Sequence, residues 1–142
     1  MPPSIYKQMK KDIDFAPVEG VAIAIATEQN VLGQDVWNVY LINSNAYHLD
    51  NVLVASKGYG SHEGQEIKTS VLRHMFERVE ARSFVKVEPI DSAIFHIYNE
   101  FWVSYYTGTR ILDKKFIFVP ESIVEENLID ISLLNKRGVL HN

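Results

Sequence analysis

Apolar side chains fall at every second position over much of this chain, which is the period of a strand with one face turned to an interior. In residues 20–27, Val21, Ile23 and Ile25 alternate with Ala22, Ala24 and Ala26, and a face of alanines permits close approach of another layer. The connection over residues 28–35 includes Asn30 and Gly33, residues suited to a loop. In residues 35–49, Trp37, Val39 and Leu41 alternate with Asn38, Tyr40 and Ile42, so one side is wholly apolar and the other mixed. A partly buried second face suits an interior strand, and we take this stretch as the spine of the fold. The run stops at Asn43-Ser44-Asn45, whose short polar side chains hydrogen-bond their own backbone and favour a turn. Tyr47, Leu49 and residues 52–55 resume the rhythm, which predicts that the chain doubles back as an antiparallel neighbour.

Residues 56–65 hold three of the seven glycines and read as a loop. Residues 70–82 are ambiguous. Val71, Leu72, Met75, Phe76 and Val79 fit a helical stripe with Ser70 as N-cap, and the periodicity favours that reading. The same residues also make a strand with Val71, Met75 and Val79 on one face and Leu72 and Phe76 on the other. Residues 83–89 form a strand closed by Pro89, which has no N–H for a ladder. In residues 93–107 the odd-numbered Phe95, Ile97, Phe101, Val103 and Tyr105 form the expected inward face, with Asn99 and Glu100 as a bulge or turn. Residues 114–119 read as a strand, 120–126 as one helical turn with Pro120 early in it, 128–134 as a strand, and 135–138 as a turn before a short tail.

Seven to eight short strands with turn signals between them, and no strand–helix alternation, give a mainly all-β class. The expected architecture is an antiparallel β-sandwich, immunoglobulin-like or a partly open barrel, with one or two short helices. Residues 1–19 form a lead-in and residues 20–142 a single β-rich domain, which a length of 142 residues accommodates with a real core.

Composition narrows the chemistry. Hydrophobic residues at 46% and charged residues at 23% are those of a globular chain, which excludes wholesale disorder. The net charge of -4 makes the chain a poor generic binder of phosphate backbones. The absence of cysteine removes disulfides, thiol catalysis and thiolate metal sites, and fits a reducing compartment. The first residues lack the apolar core of a signal peptide and no segment reaches a membrane helix, so the expectation is a cytoplasmic protein without a membrane partner.

His62-Glu63-Gly64-Gln65-Glu66 comes nearest to a metal motif. It departs from His-Glu-x-x-His at the second histidine, and Gly64 weakens the helix that motif needs. Gly58, Gly60 and Gly64 miss the spacing of a phosphate loop, and Ser61 lacks a nucleophile elbow. No catalytic, metal or cofactor residue is therefore assigned, and no cofactor is expected. Arg73, His74, Arg78, Arg82 and Lys86 make the best basic stripe, with the nearby aromatics as stacking partners, although Glu77, Glu80 and Glu88 interleave it. Arg73, Arg78 and Arg82 are thus the candidate nucleic-acid contacts. Aromatic side chains are favoured at interface hot spots, and Tyr59, Trp102, Tyr105 and Tyr106 are the candidates for contact with a protein.

The runs Val21-Ala-Ile-Ala-Ile-Ala, Trp37-x-Val-Tyr-Leu-Ile-Asn-Ser-Asn-x-Tyr47-x-Leu49, Ser56-x-Gly58 and Gly64-x-x-Ile67 resemble a known pattern. It is that of the uncharacterised β-rich domain found ahead of the Smr nuclease-like domain in certain proteins of the second MutS-related mismatch-repair group. The likeness spans about residues 20–126, and the chain has no room for an Smr domain. The resemblance implies a noncatalytic accessory module and carries over no site residues. The expected function is an interaction module that binds a protein partner or assembles with itself as a homodimer. The rival readings are a nucleic-acid-associated accessory domain and a metal-dependent hydrolase using His62 and Glu66.

Overall fold

The computed structural model describes residues 17–142, so residues 1–16 of the expected lead-in lie outside the described residues. Ten strands follow in order: β1 (Val21–Gln29), β2 (Asp35–Asn43), β3 (Leu49–His62), β4 (Gln65–Lys68), β5 (Leu72–Val79), β6 (Ser83–Pro89), β7 (Tyr98–Thr107), β8 (Arg110–Phe118), β9 (Ile129–Ile131) and β10 (Lys136–His141). They form two antiparallel sheets that do not close into a barrel, as an all-β sandwich requires. The first sheet runs β6-β2-β1-β10-β9. In the second, β4 and β5 share one side of the long β3, and β7 then β8 lie on the other.

The alternation in the sequence sets what each sheet buries. Val21, Ile23, Ile25, Val39 and Leu41 from the first sheet meet Val52, Val54, Phe101, Val103, Tyr105 and Phe116 from the second in the main core. The opposite face of β1 and β2 is also covered. Ala22, Ala24 and Ala26 join Tyr40, Ile42, Ile131 and Leu134 in a smaller cluster, so the alanine face does admit a second layer. Among the described residues no helix is long and apolar enough to cross a membrane.

Both crossings between the sheets that precede residue 90 lie at one end of the sandwich. The chain leaves β2 for β3 there and returns from β5 to β6 beside it. Asn43 is buried at this corner. Its Nδ2 donates to the carbonyls of Tyr47 at 2.9 Å and Glu80 at 3.0 Å, and its Oδ1 accepts from Asn45 N at 3.1 Å. The N–H of Arg82 donates to the Asn45 carbonyl at 3.0 Å, which ties the two crossings directly. Asn45 Nδ2 reaches the carbonyl of Glu19, and Ser44 N that of Gly20, so the start of β1 joins the same knot.

Several sequence expectations are revised. The strand after the Asn43–Asn45 turn does not pair with β2, because the corner carries it into the other sheet; β2 pairs with β1 and β6 instead. Residues 56–62 are strand, paired with β7 and β4, and the glycines there make room for Ile97, whose atoms lie 3.0 and 3.1 Å from the Cβ positions of Gly58 and Gly60. Residues 72–79 are strand and not helix: ladder bonds to β3 outweigh the helical spacing of their apolar residues. Asn99 and Glu100 sit in unbroken register with Phe118 and Ile117. Pro120 opens no helix, and a 3₁₀ turn forms later at Glu125–Asn127. Of the expected turn at residues 135–138, Asn135 does lie in a turn, and residues 136–138 are the start of β10. Gly138 is needed there for contact, not for turning, because a Cβ would sit 2.6 Å from the Ile25 carbonyl oxygen.

Replacing Asn43 with alanine strands the Tyr47 and Glu80 carbonyls in the corner. The expected loss is about 3 kcal/mol of folding stability, read in urea denaturation as a lower midpoint at unchanged slope.

Candidate interaction face

Paired residues on neighbouring strands share a face, so the register of the second sheet defines its outer surface. Lys68, Tyr59 and Tyr98 form one cross-strand row, Lys57, Glu100 and Ile117 the next, then Arg73, Ala55, Trp102 and Lys115. Met75, Leu53, Ser104 and Asp113 follow, and Tyr106 lies opposite Ile111. Tyr98, Trp102, Tyr106, Met75 and Ile111 are all exposed, Trp102 at 45% and Met75 at 69%. They share the face with charged groups set between them, the Lys57–Glu100 pair between Tyr98 and Trp102 and Asp113 between Trp102 and Tyr106, so the surface is a mixture of exposed aromatics and charge.

Its polar groups fix the aromatic rings in place. Trp102 Nε1 donates to Asp113 Oδ2 at 3.0 Å, and Lys115 Nζ stands 4.8 Å from the indole centroid. Tyr59 and Tyr98 stack with centroids 5.4 Å apart and planes 10° off parallel. Glu100 is only 6% exposed, yet it accepts from Tyr59 OH at 3.3 Å and pairs with Lys57 at 3.6 Å. Burial, and then the Glu100 carboxylate, hold the Tyr59 phenol above its ordinary pKa, so it remains a donor. Beside this pair a cleft of about 690 Å³ opens, lined by Lys57, Tyr59, Glu66, Lys68, Val71 and Tyr98.

Of the aromatic candidates, Tyr59, Trp102 and Tyr106 share this face. Tyr105 does not. It is 2% exposed and packs in the main core, as its odd number in β7 requires, so it has no surface to offer a partner. The basic stripe is dispersed. Arg73 stands in the Trp102 row, Arg78 is bound to Asp50 at 3.1 Å, Arg82 occupies the β5–β6 turn with φ 50°, and Lys86 lies in the first sheet. His62 and Glu66 fall on opposite faces of the β3–β4 hairpin, because Glu66 pairs with Ser61 and His62 with Gln65. Among the described residues no three histidine or acidic side chains gather as metal ligands.

One polar cluster has no sequence signal, since its members are 14 and 32 positions apart. Glu88 on β6 accepts from Ser56 Oγ at 2.6 Å and lies 2.9 Å from His74 Nε2, both through Oε1. It joins the first sheet to β3 and β5 of the second. The serine proton is directed at the carboxylate, where a nucleophile would need it directed at the imidazole.

Comparison with known protein families and with curated proteins finds no match to this chain.

Burial, and next the neighbouring Tyr47, push the Tyr105 phenol from its usual 10.0 up to about 12. A proton held more tightly in the folded state contributes stability that is complete below pH 10.0 and is lost as the pH rises towards about 12. Unfolding midpoints measured across that range should fall, and should fall less in the Tyr105→Phe variant.

Proposed function

We propose that this chain is a noncatalytic interaction module whose contact surface is the outer face of the second sheet. The observation that supports this reading is the row through Trp102: an exposed indole, held by Asp113 and Lys115, on a face that also exposes Tyr98, Tyr106, Met75 and Ile111. Tryptophan and tyrosine anchored before binding lose little conformational freedom on contact, which favours a protein partner. An accessory role is also what the sequence resemblance implies, and a cytoplasmic setting suits a chain without cysteine.

A second reading, contact with single-stranded nucleic acid, draws on Arg73 and Lys115 flanking Trp102 in one row. Against it stand Glu66, Glu77, Glu100 and Asp113 around the same surface, and we favour the protein partner.

In affinity capture from cells that express the chain, the Trp102→Ala variant should lose the retained protein by on the order of a hundredfold in affinity. Its fold should stay intact by circular dichroism. Retention that is indifferent to Trp102→Ala, or that is abolished by nuclease and by moderate salt, would reject the protein-partner reading.

A further inference from the structure

β5 hydrogen-bonds to β3 on one side only; its other side meets no strand among the described residues. An open edge is a template for another strand. The remaining edges are blunted. β9 and β4 are three and four residues long, and β6 ends in Pro89 and its ladder to β2 shifts register between Val39 and Tyr40. A twofold pairing centred on β8 sets Lys114 against its own twin, while the flanking Asp113 and Lys115 are already engaged with Trp102. β5 runs eight residues with no proline, and its register with β3 is the same on both sides of Glu77, where the ladder skips one residue.

Its sequence is also complementary to itself when reversed. In an antiparallel pairing with Met75 on the twofold axis, Arg73 faces Glu77 of the second copy, and Glu77 faces Arg73 in return. Arg73 belongs to the outer face, Glu77 is exposed, and neither has an ion-pair partner among the described residues. Met75, 69% exposed, meets its twin between the two charge pairs. Opposite charges directly across a ladder stabilise it, and the exchange of i with j is what a twofold interface demands.

We propose that a second copy of this chain docks along β5, edge to edge, so that the second sheet continues across a twofold axis at Met75. This pairing takes Met75 and Arg73 at the border of the proposed contact face and leaves Trp102, Tyr98 and Tyr106 open. The inference therefore goes beyond the partner-binding reading and fails or survives separately from it.

The lack of cysteine gives a direct test. Across a paired ladder the two Cα atoms at the axis lie about 4.5–5.5 Å apart, within disulfide range. Under mild oxidation M75C should form a disulfide-linked dimer at least about tenfold faster than V31C, which reports random encounter from an exposed turn. In sedimentation the unmodified chain should form a dimer, E77R should weaken it on the order of tenfold, and R73E/E77R should restore it. Restoration by the double variant separates lost pairing from lost folding. Cross-linking of M75C no faster than V31C, a strictly monomeric parent, or a dimer indifferent to E77R would overturn the proposal.

Discussion

The buried amide of Asn43 is the constraint on which the sandwich depends. An open two-sheet fold has no closed ladder to fix one sheet relative to the other, so that relation is carried by packing and by the points where the chain changes sheets. Here two such points lie side by side, and a single side chain bonds to both, while the Arg82 N–H to Asn45 carbonyl bond repeats the link in the backbone. Asparagine is suited to the position because it donates and accepts at once. The Glu88 bonds to Ser56 and His74 supply a second polar link between the sheets, so the apolar core is bracketed by directional contacts.

With that frame set, the two sheets use their outer faces differently. The first sheet hides much of its outer face, where alanines of β1 lie close under Tyr40, Ile131 and Leu134. The second sheet leaves Trp102, Tyr98 and Tyr106 open and spends charged residues on fixing them. The lysine over the indole, the aspartate on its N–H and the glutamate under Tyr59 all come from adjacent strands. Ring orientation on this face is therefore a property of the sheet itself and needs no loop to set it.

Much of this was legible from side-chain period alone. The alternation of Val21, Ile23 and Ile25 with three alanines, and of Val39 and Leu41 with Tyr40 and Ile42, foretold the inward and outward faces of β1 and β2. The odd-number rule in β7 placed Phe101, Val103 and Tyr105 correctly, and should have removed Tyr105 from the surface candidates. What the sequence hid was pairing. Whether the strand after Asn43 turns back onto β2 or crosses over is decided by carbonyls 36 and 37 residues away. The glycines at 58, 60 and 138 were misread for one reason: in all three cases the missing side chain makes room for a distant neighbour, a demand that local composition does not record. β5 was ambiguous because eight residues hold too few periods to separate 2.0 from 3.6.

The seating of Ile97 beneath Gly58 and Gly60 gives the end of β3 an unusual mechanical character. A ribbon without side chains on its inner surface cannot brace itself against the core, and here the brace belongs to another stretch of chain, just beyond the short turn at Ser92–Ile94. The hairpin that walls the cleft beside Tyr59 thus leans on Ile97 as its shared prop at both glycines, with Thr69 also against Gly58. Its stiffness is governed from outside its own sequence, and a change in the volume of that prop would tilt the wall without touching any residue that lines it.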